Sequence, residues 1–83
     1  MNIILKVLDP KNSWDLGPVT VPEGATVMDC VKMVAARRPE LKLPDFDAYE
    51  KSSIVVINTK VSYYDSVLHD GDSLTIFPYA DAG

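Results

Sequence analysis

Hydrophobic positions in the first eight residues recur at every second place. Ile3, Leu5 and Val7 therefore share one side of an extended chain, which is typical of a β-strand with one buried face. A polar segment follows at residues 9–13. The chain then predicts a second short strand at residues 17–21. Because the two strands are neighbours in sequence, we expect them to pair in antiparallel fashion.

The next segment has the period of an amphipathic helix. Val27, Cys30, Val31 and Val34 are spaced i, i+3, i+4, i+7 and so form one apolar stripe. Thr26 precedes Asp29 by three residues, a capping-box-like start. At the other end Arg37-Arg38 suit the negative pole of the helix dipole, and Pro39 prevents continuation. The pattern predicts a helix over residues 27–37.

The second half of the chain alternates strand and turn signals. Residues 40–51 predict a surface connection with one short helical turn, and the apolar run at residues 53–57 predicts a central strand. Asn58 tolerates the left-handed conformation of a turn. Residues 61–64 are expected to pair briefly, and residues 65–68 to form a single helical turn.

The last strand is predicted at residues 73–77. Gly71 supplies the positive φ of the turn before it, and Pro78 ends it. The whole order predicts an α+β domain in which one helix crosses one face of a sheet. We place the domain at residues 1–78 and expect residues 79–83 to be a flexible tail.

Composition limits the range of functions. The chain has 83 residues, 47% hydrophobic and 24% charged, which is enough for one small domain. Its formal net charge of −4 is unfavourable for nucleic acid or anionic membranes. A single cysteine and the absence of a signal sequence or transmembrane stretch favour a cytoplasmic protein.

Candidate chemistry within the domain is sparse. Cys30 lies on the apolar helix stripe and is interpreted as a packing residue rather than a sulfur relay. His69 is interpreted as a turn residue. Asp45, Asp47 and Glu50 lack the regular spacing of a calcium loop and are assigned to a solvated surface. We predict no catalytic residue and no metal site.

Two aromatic residues are candidates for contact with a partner. Trp14 is predicted to lie in a loop, where aromatic residues often anchor interfaces. If Leu74 and Ile76 face the helix, alternation places Phe77 on the open face of the sheet. Phe77 and Pro78 are therefore our candidate partner surface.

Three segments together resemble the ubiquitin-like sulfur-carrier proteins of the MoaD/ThiS type, closest to the molybdopterin synthase small-subunit branch. They are residues 21–27 (VPEGATV), residues 56–58 (VIN) and residues 68–78 (LHDGDSLTIFP). The resemblance implies a β-grasp fold, a mixed sheet of four to five strands with its first and last strands parallel at the centre. One main helix packs across that sheet.

The resemblance also implies a function at the chain end. An E1-like adenylating enzyme would use ATP to activate the carboxylate of Gly83, and a sulfur donor protein would convert it to a thiocarboxylate. A larger catalytic subunit of the molybdopterin synthase type would receive the sulfur for molybdopterin or tungstopterin. The carrier itself would be neither an enzyme nor the holder of a cofactor. The tail that would thread into the partners consists of Tyr79, Ala80, Asp81 and Ala82.

Two positions depart from the family pattern, and alternative functions are therefore kept beside the sulfur carrier. Ala82 stands where a glycine usually precedes the terminal glycine, and Thr59 stands where a glycine usually follows Asn58. A ubiquitin-like protein modifier or a non-catalytic β-grasp binding module is the alternative function. An RNA-binding accessory domain is weaker, because the chain is acidic.

Overall fold

The computed structural model describes residues 1–48 and 50–78, and it contains one mixed sheet and one α-helix. The predicted tail therefore lies outside the described residues. The elements in chain order are β1 Asn2–Leu8, β2 Ser13–Thr20, α1 Val27–Arg37, 3-10 helices Pro39–Leu41 and Glu50–Ser52, β3 Ile54–Ile57, β4 Lys60–Ser62 and β5 Ser73–Phe77.

The five strands are ordered β2-β1-β5-β3-β4. β1 runs parallel to β5, with Ile4 opposite Ser73 and Val7 opposite Ile76. The pairs β1–β2, β3–β5 and β3–β4 are antiparallel. The expected antiparallel first pair and the parallel central strands are both confirmed. β5 thus occupies the middle of the sheet and has a partner along each side.

α1 begins and ends where the sequence predicts. Thr26 accepts a hydrogen bond from the Asp29 backbone N–H at 3.2 Å, and the Asp29 carboxylate accepts one from the Thr26 backbone N–H at 3.0 Å. This capping box satisfies two N–H groups that a helix start leaves free. The hydrogen bond from the Thr26 backbone holds the pKa of the Asp29 carboxyl below its usual value.

The core lies between α1 and one face of the sheet. The helix stripe packs against strand residues that alternate with exposed neighbours, as the periodicities require. Among the described residues no helix has the length and apolar character needed to cross a bilayer. The buried cluster comprises Ile3, Leu5, Val7, Val21, Ala25, Val27, Cys30, Val31, Val34, Phe46, Val55, Tyr64, Leu68, Leu74 and Ile76.

β2 starts earlier than predicted, so the assignment of Trp14 to a loop is wrong. Trp14 lies in β2 opposite Val7, and its indole N–H donates to the Leu41 carbonyl oxygen at 3.0 Å. The pairing register shifts between Leu5 and Lys6, a bulge at which Gly17 has φ +60°. The bulge lets the strand continue on both sides of Gly17. Trp14 is partly buried against the core and ties β2 to the segment after α1.

The turn after β3 is built around Asn58, which has φ 58°. Its side-chain carbonyl accepts a hydrogen bond from the Ser73 N–H at 3.0 Å, and its amide donates to the Asp72 carboxylate at 3.1 Å. Thr59 does not have a positive φ. A glycine is therefore not required at Thr59, which accounts for that departure from the family pattern. The predicted left-handed Asn58 and the positive φ of Gly71, 86°, are confirmed.

The remaining connections differ in detail from the predictions. The surface connection after α1 contains two short 3-10 helices rather than one helical turn. Residues 65–68 do not form a helical turn. Instead Val67 makes an isolated antiparallel bridge to Thr26, and the Leu68 N–H donates to the Ala25 carbonyl at 2.9 Å. These backbone bonds draw the segment against the start of α1 and away from a helical path.

Candidate functional site

The candidate site is the end of β5, from which the predicted tail continues. Phe77, the last residue of β5, lies opposite Ile54 at the start of β3. Leu74 and Ile76 are fully buried on the helix side. Alternation therefore places Phe77 on the other side of the sheet, as predicted, where it is partly buried.

Apolar side chains from several strands share that open face with Phe77. Ile54 is 42% exposed, Ile4 38% and Val61 71%. Val56 pairs directly with Val61, and since Val55 faces the core, both of them lie on the open face. We call this surface the open-face patch; its members are Ile4, Ile54, Val56, Val61 and Phe77. Exposed apolar side chains that share one face of a sheet are typical of an interaction site.

The structure corrects the prediction for Pro78. Its side chain is less than 2% exposed, so the ring packs inside the domain and is not part of a partner surface. The Pro78 carbonyl oxygen accepts a long hydrogen bond of 3.4 Å from the Ser53 hydroxyl, which precedes β3. The last described residue of the domain is therefore held by its ring and by its carbonyl.

An open cleft of about 510 Å³ lies beside Ser53. Tyr64 lines it and is only 5% exposed, and its hydroxyl has no hydrogen-bond partner of standard geometry among the residues described. Burial raises the pKa of the Tyr64 phenol; the neighbouring Ser53 hydroxyl opposes the rise, and the Glu50 carboxylate adds to it. Ser53 thus lies near enough to influence the Tyr64 hydroxyl, although the contact falls short of a hydrogen bond.

The other titratable candidates are accounted for by structure. Cys30 is fully buried, and burial raises the pKa of its thiol to about 11, so it is a packing residue and a poor nucleophile. His69 is exposed in a turn, where its backbone N–H donates to Asp72 at 2.8 Å. Asp47 forms an ion pair of 3.0 Å with Lys32. The described residues contain no cluster of three or more His, Cys, Asp or Glu able to hold a metal ion.

Most of the predicted site residues lie beyond the described ranges. Tyr79, Ala80, Asp81, Ala82 and Gly83 all belong to this group, so their assignment stays a prediction. Sequence reasoning missed Ser53 as a neighbour of Pro78 and Tyr64 as a neighbour of Ser53. A serine before a strand carries no signal of its own, because its contact with Pro78 spans 25 residues of sequence. Ile54 could have been found by pairing the two predicted strands.

Comparison with solved structures identifies the fold. The chain superposes on the crystal structure of SAMP1 from Haloferax volcanii with a TM-score of 0.69 and 20% sequence identity. The match covers 100% of both chains. The mixed five-stranded sheet with a helix across one face is therefore the β-grasp, ubiquitin-like fold that the resemblance implied.

The family follows from the sequence match. The ThiS family model matches residues 17–81, which is most of the chain. The matched region runs from the middle of β2 through β5 and into the predicted tail. The chain belongs to the ThiS family.

Proposed function

We propose that this protein is a sulfur carrier whose reactive group is the C-terminal carboxylate of Gly83. Membership of the ThiS family supports this proposal. The observation that supports it most directly is the position of Pro78. This last described residue directly follows the central strand β5 and its ring is buried, and five residues ending in glycine come after it in the sequence. Extended at about 3.3–3.6 Å per residue, they would reach about 17 Å from the domain.

The chemistry divides between the carrier and its partners. An E1-like enzyme would join the Gly83 carboxylate to the α-phosphate of ATP and release pyrophosphate. A hydrosulfide equivalent from a sulfur donor would then attack the acyl carbon and expel AMP, which leaves a thiocarboxylate. Gly83 has no side chain to obstruct that attack.

The acceptor we propose is a larger catalytic subunit that uses the thiocarboxylate in molybdopterin or tungstopterin synthesis. The ending Phe77-Pro78 followed by residues 79–83 resembles the molybdopterin synthase small subunits more than the family members that supply sulfur for thiazole synthesis. Ala82 adds one methyl group in the channel that must admit the tail, and Asp81 adds a charge. The partner enzymes would have to accommodate both residues.

Intact-mass spectrometry tests the carrier function. Incubation with ATP, a candidate E1-like enzyme and sodium sulfide should raise the mass of the chain by the difference between a sulfur and an oxygen atom. The gain should vanish when ATP is omitted and in a chain lacking Gly83. No gain with an enzyme shown to be active on its own carrier would contradict the proposal.

The open-face patch is the surface we propose for docking to the activating enzyme. It adjoins the end of β5, because Ile54 is paired with Phe77, so one partner surface could cover both the patch and the start of the tail. Ile54→Glu should raise the KM for activation. Val67→Glu is the matched control, since Val67 is 50% exposed but bridges Thr26 away from the patch. Equal effects of the two variants would exclude the patch as the docking surface.

The same patch favours a second candidate, a non-covalent binding module or a protein modifier. A module would bind its partner through the sheet face and would keep full affinity after deletion of Gly83. A modifier would lose activity with Gly83 but would appear joined to lysine side chains of other proteins. Peptide mass spectrometry for a tail-derived remnant on lysine separates the modifier from the carrier.

A further inference from the structure

Three features hold the chain where it leaves β5. Phe77 is paired with Ile54, and the Pro78 ring is buried. The third contact is the hydrogen bond of 3.4 Å from the Ser53 hydroxyl to the Pro78 carbonyl oxygen. The first two contacts fix the strand end and the ring. Only the third acts on the carbonyl of the peptide group that joins Pro78 to residue 79.

We propose that Ser53 is a positioning residue for the carrier reaction. Its hydroxyl fixes the orientation of the Pro78 carbonyl, and hence the direction in which the tail begins. This inference rests on the proposed sulfur-carrier function. Ser53 does not touch the reacting atoms, because Gly83 lies five residues further along the chain than Pro78.

The physical reason is the conformational entropy that the tail loses when it enters a partner's channel. Fixing one backbone residue costs about 1–2 kcal/mol in a free chain, and a partner channel must order every tail residue it admits. A tail whose first peptide group is already oriented leaves less to order on binding. The tail must enter the partner's channel before its carboxylate is adenylated. The smaller entropy cost should therefore strengthen binding of the carrier and leave the rate of the chemical step unchanged.

The surroundings of Ser53 support a specific role for its hydroxyl. Ser53 directly precedes β3, whose first residue, Ile54, is paired with Phe77. Tyr64 is buried next to it, and the Ser53 hydroxyl influences the pKa of the Tyr64 phenol. The serine thus lies between β3, which it directly precedes, and the Pro78 carbonyl.

Substitution of the hydroxyl tests the inference. Ser53→Ala should raise the KM of the carrier for its activating enzyme by about two- to tenfold, the range for losing one hydrogen bond, with kcat unchanged. Ser53→Thr keeps a hydroxyl and should restore the wild-type KM. The matched control is Ser62→Ala, because the Ser62 hydroxyl also bonds a backbone carbonyl, that of Lys60, at 3.1 Å, but within β4.

A measurement that needs no enzyme accompanies the kinetics. The ¹³C resonance of the Pro78 carbonyl should shift in Ser53→Ala and should return towards the wild-type position in Ser53→Thr. An unshifted resonance would overturn the inference, since it would mean that the hydroxyl does not hold the carbonyl in solution.

The outcomes separate this inference from the function on which it rests. Wild-type activation with an equal KM for Ser53→Ala would refute the positioning role alone. A loss of kcat instead of a rise in KM would also refute it. If the wild-type chain gains no sulfur with an enzyme active on its own carrier, the proposed function fails, and the positioning role fails with it.

Discussion

Substitutions of Asn58 should lower the free energy of unfolding for two separate reasons. One is the loss of side-chain hydrogen bonds, and the other is the left-handed backbone conformation of the turn. Asn58→Gly keeps the left-handed backbone but removes the side-chain hydrogen bonds to Ser73 and Asp72. Each such bond contributes about 0.5–1.5 kcal/mol net, and because both are exposed we expect a joint loss of about 1–2 kcal/mol. Asn58→Ala loses the same bonds and must also hold φ at 58°, which adds about 1 kcal/mol. Alanine should therefore be the less stable variant.

Urea unfolding followed by far-ultraviolet circular dichroism measures both losses. With a slope of about 1 kcal/mol per molar urea for a domain of this size, the midpoints should fall by about 1–2 M for glycine and further for alanine. Thr59→Gly is the control and should not stabilise the chain, because Thr59 lacks a positive φ. Equal stability of the alanine and glycine variants would refute the role of the left-handed conformation. Wild-type stability in both would refute the hydrogen-bond network.

Four further predictions concern the two residues of the helix cap and two buried groups. Thr26→Ala should lower the free energy of unfolding by about 1 kcal/mol in urea titrations. The folded-state pKa of Asp29 lies below its usual 3.8. The ionised carboxylate therefore stabilises the fold above that pH, and this stabilisation is lost as the pH falls through the folded-state pKa. The acid unfolding curve of Asp29→Asn should not show this loss of stability. A disulfide reagent at pH 8 should label Cys30 only as fast as the domain unfolds, and prompt labelling would show that the thiol is accessible. Tyr64→Phe should be at least as stable as wild type in urea unfolding, since it removes a buried hydroxyl without a standard partner; a loss above about 1 kcal/mol would show that the hydroxyl is bonded.

The elements that are determined by neighbouring residues were predicted well from the sequence. The bounds of α1 follow from a cap, an apolar stripe and a proline that all lie within the helix or next to it. The alternation of Leu74 and Ile76 was enough to assign Phe77 to the open face. In each case neighbouring residues contain the information that decides the structure.

The features that sequence reasoning missed depend on contacts between distant segments. The start of β2 depends on pairing with β1 through a bulge, which let Trp14 join the strand and bond to Leu41. The burial of Pro78 depends on packing inside the domain, because its type and position predict only the end of a strand. Ser53 comes near Pro78, and Tyr64 near Ser53, only after the sheet has formed.

Ile54 connects the two parts of the candidate site. It is paired with Phe77 at the strand end, it is exposed on the open-face patch, and it directly follows Ser53. A partner that covers the patch therefore also contacts the region where the Pro78 carbonyl is held. Because β5 is bonded on both sides, docking on the sheet should not move the end of β5 relative to the rest of the sheet. Recognition of the patch and the position at which the chain leaves β5 should thus be coupled through the sheet.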